Sequence, residues 1–194
     1  MRIILLICFI SFALSACRLE KDPGSNIDVS ILNDAFMDMI DTIPYRYHSL
    51  RPAPNDSIYA GADSLNVAIN PFLTNIRKWK REITSPNLKA VDKARILTLF
   101  EKSIVDSFQL EISVDSFNKT GRYKLFPHRN QSISIDTLSA IGKIEFTRTY
   151  FDEQYAITIA TIRDQFKNGV VKLFLLEKRN GKWQKKEEFI LEIW

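Results

Sequence analysis

Val170–Lys178 and Lys182–Ile193, VVKLFLLEK and KWQKKEEFILEI, flank Arg179-Asn180-Gly181, and the reading of this stretch decides the fold. Asn-Gly between two strand-like runs predicts a tight hairpin, because both residues tolerate the positive φ of a type I′ turn. With Asn180 and Gly181 at the turn centre, Arg179 faces Lys182 and Lys178 faces Trp183. Leu173-Phe174-Leu175-Leu176 is apolar on both sides of the pleat, which predicts an inner strand covered on both faces.

The same logic extends backwards. Lys167-Asn168-Gly169 is a second turn sequence, and Tyr155–Ile162 before it is rich in Ile and Thr, which suit a pleated surface. Lys143–Tyr150 alternates, with Ile144, Phe146, Arg148 and Tyr150 on one face. The pattern predicts a four-strand meander over 143–150, 155–164, 170–178 and 182–193.

The N-terminal half has the other periodicity. Ile27, Ile31, Ala35 and Met39 recur every four residues with Leu32, Phe36 and Ile40 beside them, a wide apolar stripe on a helix. Asn26 or Asp28 is placed to cap it, and Pro44 lies beyond its end. A proline-rich loop follows, TIPYRYHSLRPAPNDS over 42–57. Ser64–Ile69 reads as a weak strand or a short helix. Phe72, Ile76, Trp79 and Ile83 give a second helical face, Ser85-Pro86 breaks it, and Pro86 is placed to open the next helix. Val91–Phe108 is again near period 3.6, with 108–114 readable as strand. Helices first and strands later predict an α+β domain over 27–194, N-terminal helices packed on a C-terminal four-stranded antiparallel meander.

Phe146, Arg148, Phe151, Asp152 and Ala156, followed by Leu175-Leu176-Glu177-Lys178, Gly181 and Trp183, form a pattern of their own. It resembles uncharacterised exported lipoproteins of Bacteroidota, which carry Phe-Ser-Arg-x-x-Phe-Asn/Asp and then Leu-Leu-Glu-Lys-x-x-Gly-x-Trp. Thr147 stands where serine is usual, and Gln165–Gly169 replaces a Cys/Gly-rich link. The match covers the last fifty residues or so. It implies hairpins and an envelope location, and no chemistry.

At the other end, Arg2 precedes an apolar run from Ile3 to Ala13. It is about eleven residues long, the length of a signal h-region and short of the roughly 20 that span a bilayer. Two cleavage readings fit: a secretory signal cut after Ala16, or a lipobox. Leu14-Ser15-Ala16-Cys17 resembles the bacterial lipoprotein signal at all four positions, which implies that residues 1–16 are removed and Cys17 carries acyl chains. Each buried methylene contributes about 0.8 kcal/mol, so several chains on one cysteine hold a protein almost permanently. Residues 17–26 then form the lipidated cysteine and a flexible tether. Arg18 is not the aspartate that resembles an inner-membrane retention signal, so the expected address is the outer membrane, on its periplasmic or its surface face.

The chain has 194 residues and two cysteines. With Cys8 in the signal and Cys17 acylated, neither a disulfide nor a thiolate zinc site is available to the body. The formal net charge of +4 falls by one when Arg2 leaves, and Lys and Arg are interleaved with Asp and Glu. No nucleic-acid stripe is expected. The densest basic run, Arg77 to Arg81 around Trp79, reads as a solvated helix face or a contact for anionic headgroups.

Catalytic motifs are sparse. His48 and His128 have no second ligand at helical or hairpin spacing, so no metal site and no cofactor is expected. No Gly-x-Ser-x-Gly elbow or phosphate-cradling glycine loop occurs. Asp56 and Asp63 are carboxylates in loops. Arg148 stands out, because a guanidinium on an inward face must be paired. Glu177 and Glu145 are nearby partners by sequence. One reading is a structural ion pair. The other is an arginine at the mouth of a pocket between helices and curved sheet, holding an anionic ligand with Tyr45, Tyr47 and His48 at the rim. Three functions follow: a membrane-tethered binding or interaction module with an envelope protein partner, an envelope enzyme or small-ligand binder on a cone-shaped fold like that of nuclear transport factor 2 relatives, or a purely structural or immunity-type partner of a neighbouring gene product. A filled core with an apolar surface patch favours the first, and a deep pocket holding Arg148 favours the second.

Overall fold

The computed structural model describes residues 23–40, 64–86, 91–103, 109–128, 142–164 and 168–194. Strands β7 (Tyr155–Asp164), β8 (Gly169–Arg179) and β9 (Lys182–Ile193) run antiparallel in sequence order. The β8–β9 turn has Asn180 at φ 51° and Gly181 at φ 77°, and Arg179 opposes Lys182 while Lys178 opposes Trp183. That is the geometry Asn-Gly dictates, since only residues tolerant of positive φ close a hairpin in two steps. At the far end of the pair, Gly169 and Trp194 exchange backbone hydrogen bonds of 3.0 and 3.1 Å. The Trp194 ring lies where a Cβ on residue 169 would sit, 2.4 Å from its nearest atom, so a larger residue there would have to displace that ring.

The expected fold class needs correction. The chain does not build a four-stranded antiparallel meander under N-terminal helices. It is mostly β, with one mixed seven-stranded sheet in the order β4-β1-β5-β7-β8-β9 and β6 also paired to β7. The additional strands are β1 (Leu65–Ile69) and β4 (Tyr123–Pro127), and β1 runs parallel to both β4 and β5 (Gly142–Phe146). Parallel neighbours are joined by long connections, so no local turn announces them. The first strand of the expected meander is also two pieces, β5 and β6 (Tyr150–Phe151), both on β7. A small second sheet pairs β2 (Phe72–Leu73) with β3 (Leu110–Glu111).

Three α-helices occur among the described residues: α1 (Pro23–Ile40), α2 (Lys80–Thr84) and α3 (Lys93–Lys102). α1 starts inside the stretch read as tether, at Pro23. Asp28 therefore lies inside the helix instead of capping it. Pro86 does not open α3, which begins at Lys93. The segment 72–84 is part strand, then a 3-10 turn over Ile76–Trp79, then α2.

Two cores lie on the two faces of the sheet. On one, Ile31, Leu32, Phe36, Met39 and Ile40 of α1 pack against Ile144, Phe146, Ala156, Ala160, Phe174 and Leu176. On the other, Ile76, Ile83, Ile96, Leu99 and Phe100 pack against Ile157, Ile159, Leu173 and Leu175. The alternation of β7 and β8 between the two sets is the period-2 rule of a pleated strand. All of Leu173–Leu176 is buried, which fits a strand covered on both faces.

Candidate functional site

The chain leaves the β ladder at Thr147–Thr149, between β5 and β6, and its backbone groups find other partners. Thr147 N–H donates to the Ile159 carbonyl (2.9 Å), and Arg148 N–H to the Thr74 carbonyl (2.8 Å). Thr147 Oγ1 accepts from Ile159 N–H at 2.9 Å, standing in for the missing backbone carbonyl. Thr149 donates both its N–H and its hydroxyl to Asp28 Oδ1. A buried N–H must be paired, and α1 supplies the acceptor.

Arg148 belongs to the same node. Its Nε lies 3.3 Å from Asp28 Oδ2, with the side chains 17% and 3% exposed. The sequence offered Glu177 and Glu145 as partners. Instead Glu177 takes Arg179 (2.6 Å) and the Tyr155 hydroxyl (3.0 Å), and Glu145 takes Lys143 (2.9 Å). Burial pushes the Asp28 carboxyl above its ordinary value, against the pull of the Thr149 hydrogen bonds and the Arg148 charge. A guanidinium so placed ties α1 to the sheet, and an incoming anion would compete with Asp28 for it. Tyr45, Tyr47 and His48, like Cys17, Asp56 and Asp63, lie outside the described residues.

Aromatic rings pack between α1 and the sheet. Phe36 makes edge-to-face contacts with Phe117, Tyr123 and Phe146 at 6.0, 6.4 and 6.3 Å between ring centres, and Phe117 stacks on Phe146 at 6.5 Å. Such pairs each contribute about 0.5–1.5 kcal/mol beyond their buried area.

An open groove of about 560 Å³ lies at the first turns of α1. Ile27, Ser30 and Ile31 of α1, Phe151-Asp152-Glu153 after β6, and Lys178 and Trp183 of the hairpin line it. Its framework is rigid. Asp152 accepts from Gln154 N–H (2.9 Å) and Tyr155 N–H (2.7 Å), and Lys178 N–H donates to the Gln154 carbonyl (2.8 Å). Burial would raise the Asp152 carboxyl, yet these backbone donors and the Lys102 and Arg95 charges hold it below its usual value. Lys102 Nζ donates to the Phe151 carbonyl (2.8 Å), and Trp183 N–H to Asp34 (3.3 Å). The sequence contained the groove's residues but not their meeting, which needs three distant segments. Ile27 was read as part of the core stripe, and it stands 44% exposed at the groove.

Among the described residues, no group of three or more His, Cys, Asp and Glu side chains is placed to hold a metal ion, and no helix is long and apolar enough to cross a membrane. No protein-family model, no curated protein and no solved structure matches the chain.

Proposed function

We propose that the protein is an exported lipoprotein of the cell envelope, held to the membrane by acyl chains on Cys17, whose folded body is a binding module. The observation that carries the anchor is Leu14-Ser15-Ala16-Cys17 at the end of a short apolar run. The resemblance to exported Bacteroidota lipoproteins points the same way. An outer-membrane address follows from Arg18 after the cysteine.

Exposed apolar surface supports binding: Arg148 sits against Asp28 beside the aromatic core, and Ile27, Phe151, Ile190, Ile193 and Trp194 stand in solvent. β9 is an end strand of the sheet and exposes Ile190, Ile193 and Trp194, a surface available to an envelope partner. Labelled palmitate tests the reading: it enters the full chain and not the Cys17→Ala form. Equal labelling of both forms, or of neither, rejects the anchor.

A further inference from the structure

The groove beside α1 and the place of the anchor bear on one another. Six peptide steps separate Cys17 from Pro23, where α1 begins. Fully extended they reach about 20 Å. Ile27 lies one turn into α1, about 6 Å along its axis. The first turns of α1, and the groove they line, are therefore the part of the body nearest the lipidated cysteine. Here Ile27 is 44% and Phe151 37% exposed, and Trp183 of the hairpin, 7% exposed, forms the groove's inner wall. Another exposed apolar cluster of the sheet, Ile190, Ile193 and Trp194, lies farther along β9, about 23 Å from Trp183 at its near end and about 36 Å at its far end.

We infer that this groove is a membrane-contact surface: Ile27 and Phe151 rest in the headgroup region of the phospholipid bilayer that holds the acyl chains, with the buried Trp183 ring close behind them. The inference rests on the Cys17 reading and adds an orientation to it, with the groove against the lipid and the Ile193 end of β9 pointing away. The rim decides the chemistry of the contact. Asp152 and Glu153 oppose Lys178 there, and Lys178 Nζ lies 5.7 Å from the Trp183 ring centre. A rim of mixed sign has no net attraction for anionic lipid. Apolar burial carries the contact, with zwitterionic headgroups accommodated by both charges. This sets the surface apart from a polybasic patch, whose attraction fades with salt.

The test uses the mature lipidated chain reconstituted in phosphatidylethanolamine–phosphatidylcholine vesicles. The lipids are brominated near the headgroup end of their acyl chains, and tryptophan fluorescence is read with and without bromine. The Trp183 component, obtained by difference from Trp183→Phe, is expected to lose roughly half its intensity, as a side chain within 5–10 Å of the headgroup boundary would. The loss persists in about 0.5 M salt, where the Debye length is only a few ångströms. Ile27→Ser and Phe151→Ser change exposed positions and leave the fold intact by circular dichroism. Each is expected to restore most of the lost intensity while the protein stays vesicle-bound. Vesicle-bound protein whose Trp183 signal ignores bromine overturns the contact surface and leaves the anchor standing. Quenching abolished by salt overturns the apolar contact in favour of a charged one. Protein that carries no acyl chain and floats free of vesicles overturns the anchor as well.

Discussion

The two faces of the sheet are held in different ways. On the α2 and α3 face the contact is mainly aliphatic, Ile76, Ile83, Ile96 and Leu99 on Ile157, Ile159, Leu173 and Leu175, with Phe100, Tyr150 and Tyr155 among them. Such a surface accepts small changes of shape at modest cost. On the α1 face aromatic rings interlock, and buried polar ties fix the helix position. Asp28 binds Thr149 and Arg148, and Asn33 accepts from Asn118 N–H (3.0 Å) and Lys119 N–H (2.8 Å). Asp34 and Asp38 accept from the Trp183 and Lys185 N–H groups of end strand β9, both at 3.3 Å. Both faces carry polar ties, but on the α2 and α3 face they are lysine contacts, Lys102 to the Phe151 carbonyl and Lys186 to Asp92, whereas on the α1 face a buried carboxylate, Asp28, makes them. Helix α1 is the described element that follows Cys17, so under the proposed anchoring its ties would fix which side of the body faces the lipid.

That contrast can be broken from either side. The largest effect belongs to Phe36→Ala, which empties the centre of the aromatic cluster and costs about 3–5 kcal/mol in urea unfolding. A loss below about 1 kcal/mol would mean that the cluster is not tightly packed. Asp28→Ala removes the acceptor of both Thr149 donors and the carboxylate beside Arg148 and costs about 3 kcal/mol, whereas Asp28→Asn keeps an acceptor for Thr149 and costs less. Equal losses for the two would remove the hydrogen bonds from the account. Asn33→Ala leaves two N–H groups without their acceptor and costs about 2 kcal/mol by the same measurement. On the other face Ile159→Val costs about 1 kcal/mol, and a larger loss there than for Asn33→Ala would erase the distinction between the faces.

The smallest effect is in pH. Burial raises the Asp28 carboxyl in the folded chain, so folding favours its protonated form. That contribution is fully present below the unfolded value, about 3.9, and is lost as pH rises through the folded value. Acidification from about pH 7 to about pH 4 should therefore stabilise the wild type relative to Asp28→Asn, whose amide does not titrate. A difference that moves the other way would show the ion pair, not burial, to dominate at Asp28.

The antiparallel C-terminal strands were legible because their signals are local: Asn180-Gly181 sets one turn, and the alternation of β7 and β8 sets the faces. β1 and β4 were not. Each is short, and their pairing joins Leu65 to Tyr123 across a long stretch of chain. The need of Arg148 for a partner was readable from strand parity, but the partner was not, since Asp28 lies 120 residues away. One cue was present unread. Thr147-Arg148-Thr149 interrupts an apolar alternation with side chains that can replace ladder hydrogen bonds, and the strand breaks there.

Mass spectrometry of the N-terminal peptide of the protein purified from its native membrane tests the central claim most directly. The account predicts that the chain starts at Cys17, with a mass increment of a diacylglyceryl group on sulfur and an acyl group on the new amine. A peptide that begins at Met1, or one that retains Cys17 with a free thiol, would contradict it.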